Sequence, residues 1–412
     1  MEPLERLGPE HLRSAMASYR DTLRAHRDEI NRLNVYPVPD GDTGTNMALT
    51  LESVVDAVDD AADDMGALCT AIARGSLMGA RGNSGVILSQ ILRGLSDVFR
   101  ELDSAGPQDL ARALRAASEA ADAAVSKPVE GTILTVVRAA AEGAEEAGGQ
   151  GKALVDVVER ARSTAADCLD RTPEMLAVLA EAGVVDAGGL GFLLFHDALL
   201  HVAAGRPLPD PEPQPEPSGV VVADHNGDKG KEGGVADLRY EVMFFLDAPD
   251  DSVPAFRQAW GKVGDSIVVA GGDGLWNCHI HTDDIGAAIE AALERGRPRD
   301  IRVTDLQEQV EEERWVRQGM SGGDSEEESA EESGSSDIVP TAVVVVGGGE
   351  GLHALFRSLG AHGVVAGGQS MNPSTAELLA AVEAAPGNAV VVLPNNKNIV
   401  AVAEQVDALT EK

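Results

Sequence analysis

The run Asn34-Val35-Tyr36-Pro37-Val38-Pro39-Asp40-Gly41-Asp42-Thr43-Gly44-Thr45-Asn46-Met47 decides how the rest of this sequence is read. Pro37 and Pro39 fix φ and push the residues before them away from helix, so the chain enters extended. Asp40 and Asp42 follow with one glycine between them, and Gly41 and Gly44 admit backbone angles that other residues resist. Thr43, Thr45 and Asn46 then offer oxygens and backbone N–H groups where a helix is predicted to begin, from Met47 onward. Hard oxygen donors on a tight turn suit Mg²⁺, which takes its remaining ligands from water and phosphates. A helix N-terminus beside that ion favours a polyphosphate. The same residues also fit an Asx-rich turn that caps a helix for local reasons alone.

Working outward, Pro9 to about Gly205 reads as helix almost throughout, with Leu12, Met16, Tyr19, Leu23 and Ile30 in one stripe and Met47, Leu51, Val54, Val55 and Val58 in another. A bundle or barrel of about eight helices is predicted for residues 1–205. The helix openings matter more than the helices. Gly79-Ala80-Arg81-Gly82-Asn83-Ser84-Gly85 precedes a long apolar helix, with Asn83 or Ser84 as the predicted cap. Glu130-Gly131-Thr132, Arg171-Thr172-Pro173 and Val185-Asp186-Ala187-Gly188-Gly189-Leu190-Gly191 open others. Each is an ordinary helix start by itself; together they can converge on one anionic ligand.

Residues 206–238 are rich in alternating prolines, then Gly, Asp and Lys, and read as a linker. Residues 239–318 change period to β-α-β-β-α-β plus a helix, the split pattern of a ferredoxin-like α+β domain. Within it, Cys278-His279-Ile280-His281-Thr282-Asp283 puts His279 and His281 on one face of a strand and Cys278 on the other. Two same-face histidines can seed a Zn²⁺ site if a neighbouring strand adds a ligand, and Glu241 on the first strand is the candidate. A structural or hydrogen-bonding role for the two histidines is the alternative. Residues 319–337, mostly Ser, Gly and Glu, form a second linker. Residues 338–412 hold three βα units with glycine- or Asn-rich loops, which predicts a small α/β domain with a parallel sheet.

The bulk properties narrow the function. A chain of 412 residues can hold several domains, and its net charge of −35 opposes nucleic-acid and anionic-membrane binding. No apolar run long enough to span a bilayer is read in it, nor a charged-then-apolar leader at Met1–Glu10, so a cytoplasmic protein without stable membrane insertion is expected. Cys69, Cys168 and Cys278 are odd in number and far apart, which fits a reducing compartment.

The opening run resembles, nearly letter for letter, the signature of the ATP-binding subunit of bacterial fatty acid kinase, whose N-terminal domain is related to the L subunit of dihydroxyacetone kinase (the DhaL type). His279-Ile280-His281-Thr282 resembles that subunit's middle domain. Gly367-Gly368-Gln369-Ser370-Met371-Asn372-Pro373-Ser374 and Leu393-Pro394-Asn395-Asn396-Lys397-Asn398-Ile399 resemble its C-terminal domain. The resemblance implies a DhaL-like helical barrel that binds ATP and two Mg²⁺ at one end, on the interhelical loops. It implies Asp40 and Asp42 as Mg²⁺-bridging carboxylates, Thr43, Gly44, Thr45 and Asn46 as a phosphate-contacting turn, and Asn83, Ser84, Gly131, Thr132, Asp186, Ala187 and Gly188 as further nucleotide contacts. Dihydroxyacetone kinases carry a third Asp before the pair; here Val35 has that spacing, and Asn34, one residue earlier, is the substitute ligand. In the middle domain the family often has a Cys where this chain has Glu241 or Val242. The family's C-terminal domain docks a lipid-carrying partner and continues well past this point, so residues 338–412 read as a truncated domain.

The implied activity is phosphorylation of a fatty acid carboxylate, presented by a DegV-like fatty-acid-binding protein, to give an acyl phosphate. The relatives also imply a homodimer through the first or middle domain. Two alternatives stand beside this: a dihydroxyacetone-kinase-like transfer to a small hydroxyl substrate, and a non-catalytic ATP-binding scaffold.

Overall fold

The computed structural model describes residues 3–211, 238–306, 341–347, 350–367, 375–387 and 389–395, with Ile399, Ala403, Val406 and Thr410. The chain divides into two compact units, Met1–Glu311 and Glu312–Lys412.

The first unit opens with helices α1 (Pro9–Ala25), α2 (Arg27–Leu33), α3 (Thr43–Asp59), α4 (Met65–Gly79), α5 (Gly82–Phe99) and α6 (Pro107–Ala124). There follow α7 (Ile133–Gly149), α8 (Leu154–Leu169), α9 (Thr172–Met175), α10 (Ala177–Ala182) and α11 (Ala187–Ala204). Eight of these run 15 to 18 residues, and α2, α9 and α10 are short additions to the eight expected. The stripes explain the packing: α6 starts on a proline and buries Leu110, Ala113, Leu114, Ala117 and Ala121 along one face. Helix α11 is different, because it is apolar nearly all round and packs against α1, α7 and α8. It is long and apolar enough to cross a membrane, which corrects the reading that no run was; 78% of it is buried, as in a core helix.

Strands β1 (Tyr240–Asp247), β2 (Gly264–Gly272), β3 (Leu275–Thr282) and β4 (Arg297–Asp305), with α12 (Val253–Trp260) and α13 (Ile285–Leu293), complete the described part of this unit. The antiparallel sheet has the order β2-β3-β1-β4, as a ferredoxin-like domain requires. The predicted helix beyond Leu306 lies outside the described residues. One sheet face (Val242, Phe244, Leu246, Cys278, Ile280) packs with Phe256, Trp260, Ala288 and Ala292 of the two helices. The opposite face sends Met243, Val268 and Ala270 into the helical core. Strand β2 is tied along its edge by a Val125–Val268 bridge and by the Ser126 N–H, which donates to the Ile267 carbonyl at 3.0 Å. Alternation therefore turns His279 and His281 toward the helical domain.

In the second unit, β5 (Ala342–Gly347), β6 (Gly363–Ala366) and β7 (Val390–Leu393) form a parallel sheet of order β6-β5-β7. Helices Glu350–Ser358 and Thr375–Ala384 accompany it, and Leu378 and Val382 pack on Val344 and Val346. The loop over 368–374, most of the expected third helix, and both linkers apart from residues 206–211 and Leu238 lie outside the described residues.

Candidate active site in the cleft between helices and sheet

Asp40 and Asp42 lie on the loop between α2 and α3. Gly41 between them has φ 66°, in the left-handed region where a side chain is strained. Buried Asn34 at the end of α2 holds this loop. Its Nδ2 donates to the Val38 carbonyl at 2.9 Å, and its Oδ1 accepts from the Thr43 N–H (3.1 Å), the Asp42 N–H (3.3 Å) and the Thr43 hydroxyl (2.6 Å). Asn31 Oδ1 accepts from the N–H groups of Gly44 (2.7 Å) and Thr45 (3.2 Å).

This pair of asparagines corrects one expectation, the start of α3, and gives Asn34 a capping role. Helix α3 begins at Thr43, four residues earlier than read from the sequence, and its first amides already have acceptors. Asn34 serves as a cap, and an ion there would have to displace three donors. Thr43 lines the cavity described next, whereas Gly44, Thr45 and Asn46 do not. They pack behind it: a Cβ on Gly44 would lie 3.0 Å from Ile30 Cβ, and Asn46 sits against Gly82.

A cavity of about 210 Å³ opens between helical domain and sheet. Helices α5, α7 and α11 all begin at its wall, through Gly82-Asn83-Ser84, Thr132-Ile133-Leu134 and Asp186-Ala187-Gly188. The cap of α5 is Arg81, so Asn83 and Ser84 sit in the first turn, contrary to the expectation that one of them caps. Asn83 Oδ1 is buried without a hydrogen-bond partner. Thr132 donates its hydroxyl to the Val129 carbonyl at 2.8 Å. Gly131, with φ 83°, lies off the wall and donates its N–H to Thr135 Oγ1 at 3.0 Å. Asp186 does cap its helix, accepting the Gly189 N–H at 2.7 Å, while its own N–H donates to Thr172 Oγ1 at 3.1 Å. Burial pushes the Asp186 carboxyl up to about 6, against the lowering pull of the amides it accepts.

The sheet supplies the opposite wall. Register pairs Glu241 with His281 and Met243 with His279, so Glu241 shares a face with both imidazoles. One donor atom from each of Glu241, His279 and His281 lies within 4.8 Å of the others. His279 Nδ1 is 3.3 Å from Glu241 Oε1, close but not aligned as a hydrogen bond, so both His279 nitrogens and His281 Nδ1 are buried without partners. Burial holds the His279 imidazole well below its ordinary range and lowers His281 to about 4, so both are neutral near pH 7. Glu241 is raised to about 7, first by burial and then by Asp42. Asp40 is raised well above the usual carboxylate range by burial, then by Asp42 and Glu241. The two acidic clusters, one from each domain, therefore form one patch.

The candidate residues read from the sequence supply about half of this wall; among those missed are Tyr36, Lys127 and Asp265, which also line it. Tyr36 lay in plain view inside the opening run, and Lys127 stands just before the Glu130-Gly131-Thr132 opening. Nothing in the local sequence around Asp265 points to the cavity.

Residues 37–201 match the family model for a DAK2 domain, 237–313 that for the middle domain of the FakA-like fatty acid kinase proteins, and 342–412 that for their C-terminal domain. The chain belongs to the FakA-like family of fatty acid kinase subunits. Protein YloV of Bacillus subtilis is 36% identical over 397 residues, covering 95% of this chain and 70% of that protein. Uncharacterized proteins of Staphylococcus epidermidis and Staphylococcus aureus are 36% and 34% identical over 394 residues, each match covering 94% of this chain and 70% of the relative. As a fatty acid kinase subunit, the chain is of a kind that works with a partner protein, and its kinase-family domain implies use of ATP. The DAK2 match begins at Pro37, inside the run that carries Asp40 and Asp42.

Proposed function

We propose that this chain is the ATP-dependent kinase subunit that phosphorylates the carboxylate of a fatty acid held by a separate DegV-like binding protein, giving an acyl phosphate. The observation that carries this reading is one cavity bringing the Asp40/Asp42 loop to the starts of α5, α7 and α11. The positive dipole ends at those starts suit a polyphosphate, and the buried, partnerless Asn83 Oδ1 is an acceptor waiting for a donor.

Asp42 raises the protonation of both Asp40 and Glu241, and Glu241 adds to the rise at Asp40, a repulsion that a divalent cation relieves. Asp40 and Asp42 are the residues that would hold Mg²⁺, as two ions, and the metal when bound supplies charge neutralisation at the β- and γ-phosphoryl oxygens. The Thr43 side chain and the first turns of α5 and α11 orient the polyphosphate. A fatty acid carboxylate is already ionised near pH 7, so no general base is needed. Glu241, His279 and His281 would hold a further ion, with Zn²⁺ suited to two neutral imidazoles and a carboxylate. Residues 338–412 would dock the partner.

The test is γ-phosphoryl transfer from labelled ATP with Mg²⁺, to oleate on its binding protein and, separately, to dihydroxyacetone with its own binding subunit. Labelled acyl phosphate supports the proposal. Label on dihydroxyacetone, the outcome that the DAK2 match would favour, replaces it with transfer to a hydroxyl. ATP bound without transfer to either leaves a nucleotide-binding scaffold. For the metal, elemental analysis of the purified chain should show about one Zn²⁺ that is lost in His279→Ala; equal zinc in both would refute that assignment.

A further inference from the structure

Among the described residues, five carboxylates line the cavity, those of Asp40, Asp42, Asp186, Glu241 and Asp265, and Lys127 is the one lining residue with a permanent positive charge. Lys127 lies between α6 and α7, just after the segment through which Val125 and Ser126 grip strand β2. Its Nζ is 2.6 Å from Asp265 Oδ2. The other Asp265 oxygen accepts the N–H of Ser266 at 2.8 Å. Ser266 has φ 50°, a conformation serine seldom adopts, so the bend that presents this carboxylate is held against local preference. Asp265 also stands opposite His281 in the β2–β3 register. The ammonium is therefore anchored on the sheet-side wall, beside the Glu241/His279/His281 cluster.

Stability does not account for this arrangement. The Lys127 side chain is 65% exposed, and exposed ion pairs contribute little to stability. An ammonium has three donors, and one bond to Asp265 leaves two for another acceptor. On the reading that the cavity takes a nucleotide, we infer that Lys127 binds the terminal phosphoryl group of the nucleoside triphosphate, and that Asp265 is its positioning residue. The helix starts hold the polyphosphate from one side, and Lys127 meets its end from the other. In the transfer, the bond from γ-phosphorus to its bridging oxygen breaks and a bond to the acceptor oxygen forms. Lys127 keeps its protons and counters charge on the equatorial oxygens throughout. This gives the middle domain, through Asp265, a positioning role in phosphoryl transfer.

The test is calorimetric binding of Mg·ADP and of the Mg complex of a non-hydrolysable ATP analogue to the full chain. Lys127→Met should weaken the triphosphate analogue about tenfold or more, the scale of one charge-assisted hydrogen bond, and leave Mg·ADP within about twofold. Asp265→Asn should fall between, the double variant should be no weaker than Lys127→Met, and Lys127→Arg should recover part of the loss. Equal weakening of both nucleotides, or none, overturns the assignment while the nucleotide reading stands. A wild-type chain that binds neither nucleotide overturns both.

Discussion

Half-buried Asp40 and buried Asp186 are carboxylates at the same cavity, and different causes set their response to substitution. Asp40 is raised by burial and by two acidic neighbours, so its charge works against the metal-free fold. Asp40→Asn should therefore raise the melting temperature in EDTA, abolish turnover, and remove the stabilisation that Mg²⁺ with ATP gives the wild type. Thermal melts with and without Mg·ATP check this, and retained activity would refute the metal assignment. Asp186 is raised from 3.8 to about 6. A raised folded value means that the folded state holds the proton more tightly than the unfolded chain. The penalty is absent below about pH 4, grows between about pH 4 and 6, and reaches on the order of 2–3 kcal/mol at pH 7. Asp186→Asn keeps an oxygen for the Gly189 N–H, so it should gain stability over wild type across that window. Urea unfolding at pH 4, 5, 6 and 7 measures it, and parallel pH curves would contradict the assigned cause.

At the scale of the element, the start of α3 is decided by two asparagines, Asn31 on α2 and Asn34 at its end. Asn34 serves three donors of the next helix, so Asn34→Ala should cost about 1–3 kcal/mol in unfolding experiments. The loss should be the same with or without Mg²⁺. A loss seen only with Mg²⁺ would restore Asn34 as a ligand. Helices α5 and α6 cross where Gly94 meets Ala117: a Cβ on Gly94 would lie 2.6 Å from Ala117 Cα, and backbone cannot yield as a flexible side chain can. Gly94→Ala should therefore destabilise by about 1–3 kcal/mol, read from the denaturation midpoint.

Over the whole first unit, one sheet face belongs to its own helices and the other to the helical domain. Arg257 reinforces the join, with Nη1 donating to the Ala123 carbonyl at 2.5 Å and Nη2 to the Val269 carbonyl at 2.6 Å. Helical domain and sheet should melt together, since neither can expose Met243, Val268 and Ala270 cheaply. Calorimetry of residues 1–311 in EDTA should give one transition; two resolved transitions would mean that the cleft is a loose contact.

The sequence by itself determined the helix stripes, the ferredoxin-like strand order and the parallel βα units, because each rests on a local period that burial enforces. It also marked Asp40 and Asp42 on a glycine-bounded turn, Asp186 at an otherwise ordinary helix opening and His279 and His281 on one strand face, and it proposed Glu241 from strand adjacency. Tertiary structure alone decided what those residues face. That Asn34 caps α3 was not legible, because only the packed α2–α3 corner shows which donors point at its oxygen. Thr45 and Asn46, phosphate contacts by resemblance, do not line the cavity and lie within α3, which begins at Thr43. Asp265 and Lys127, 138 positions apart, meet only because the sheet packs one face on the helical domain. A chain read one period at a time carries no record of that contact.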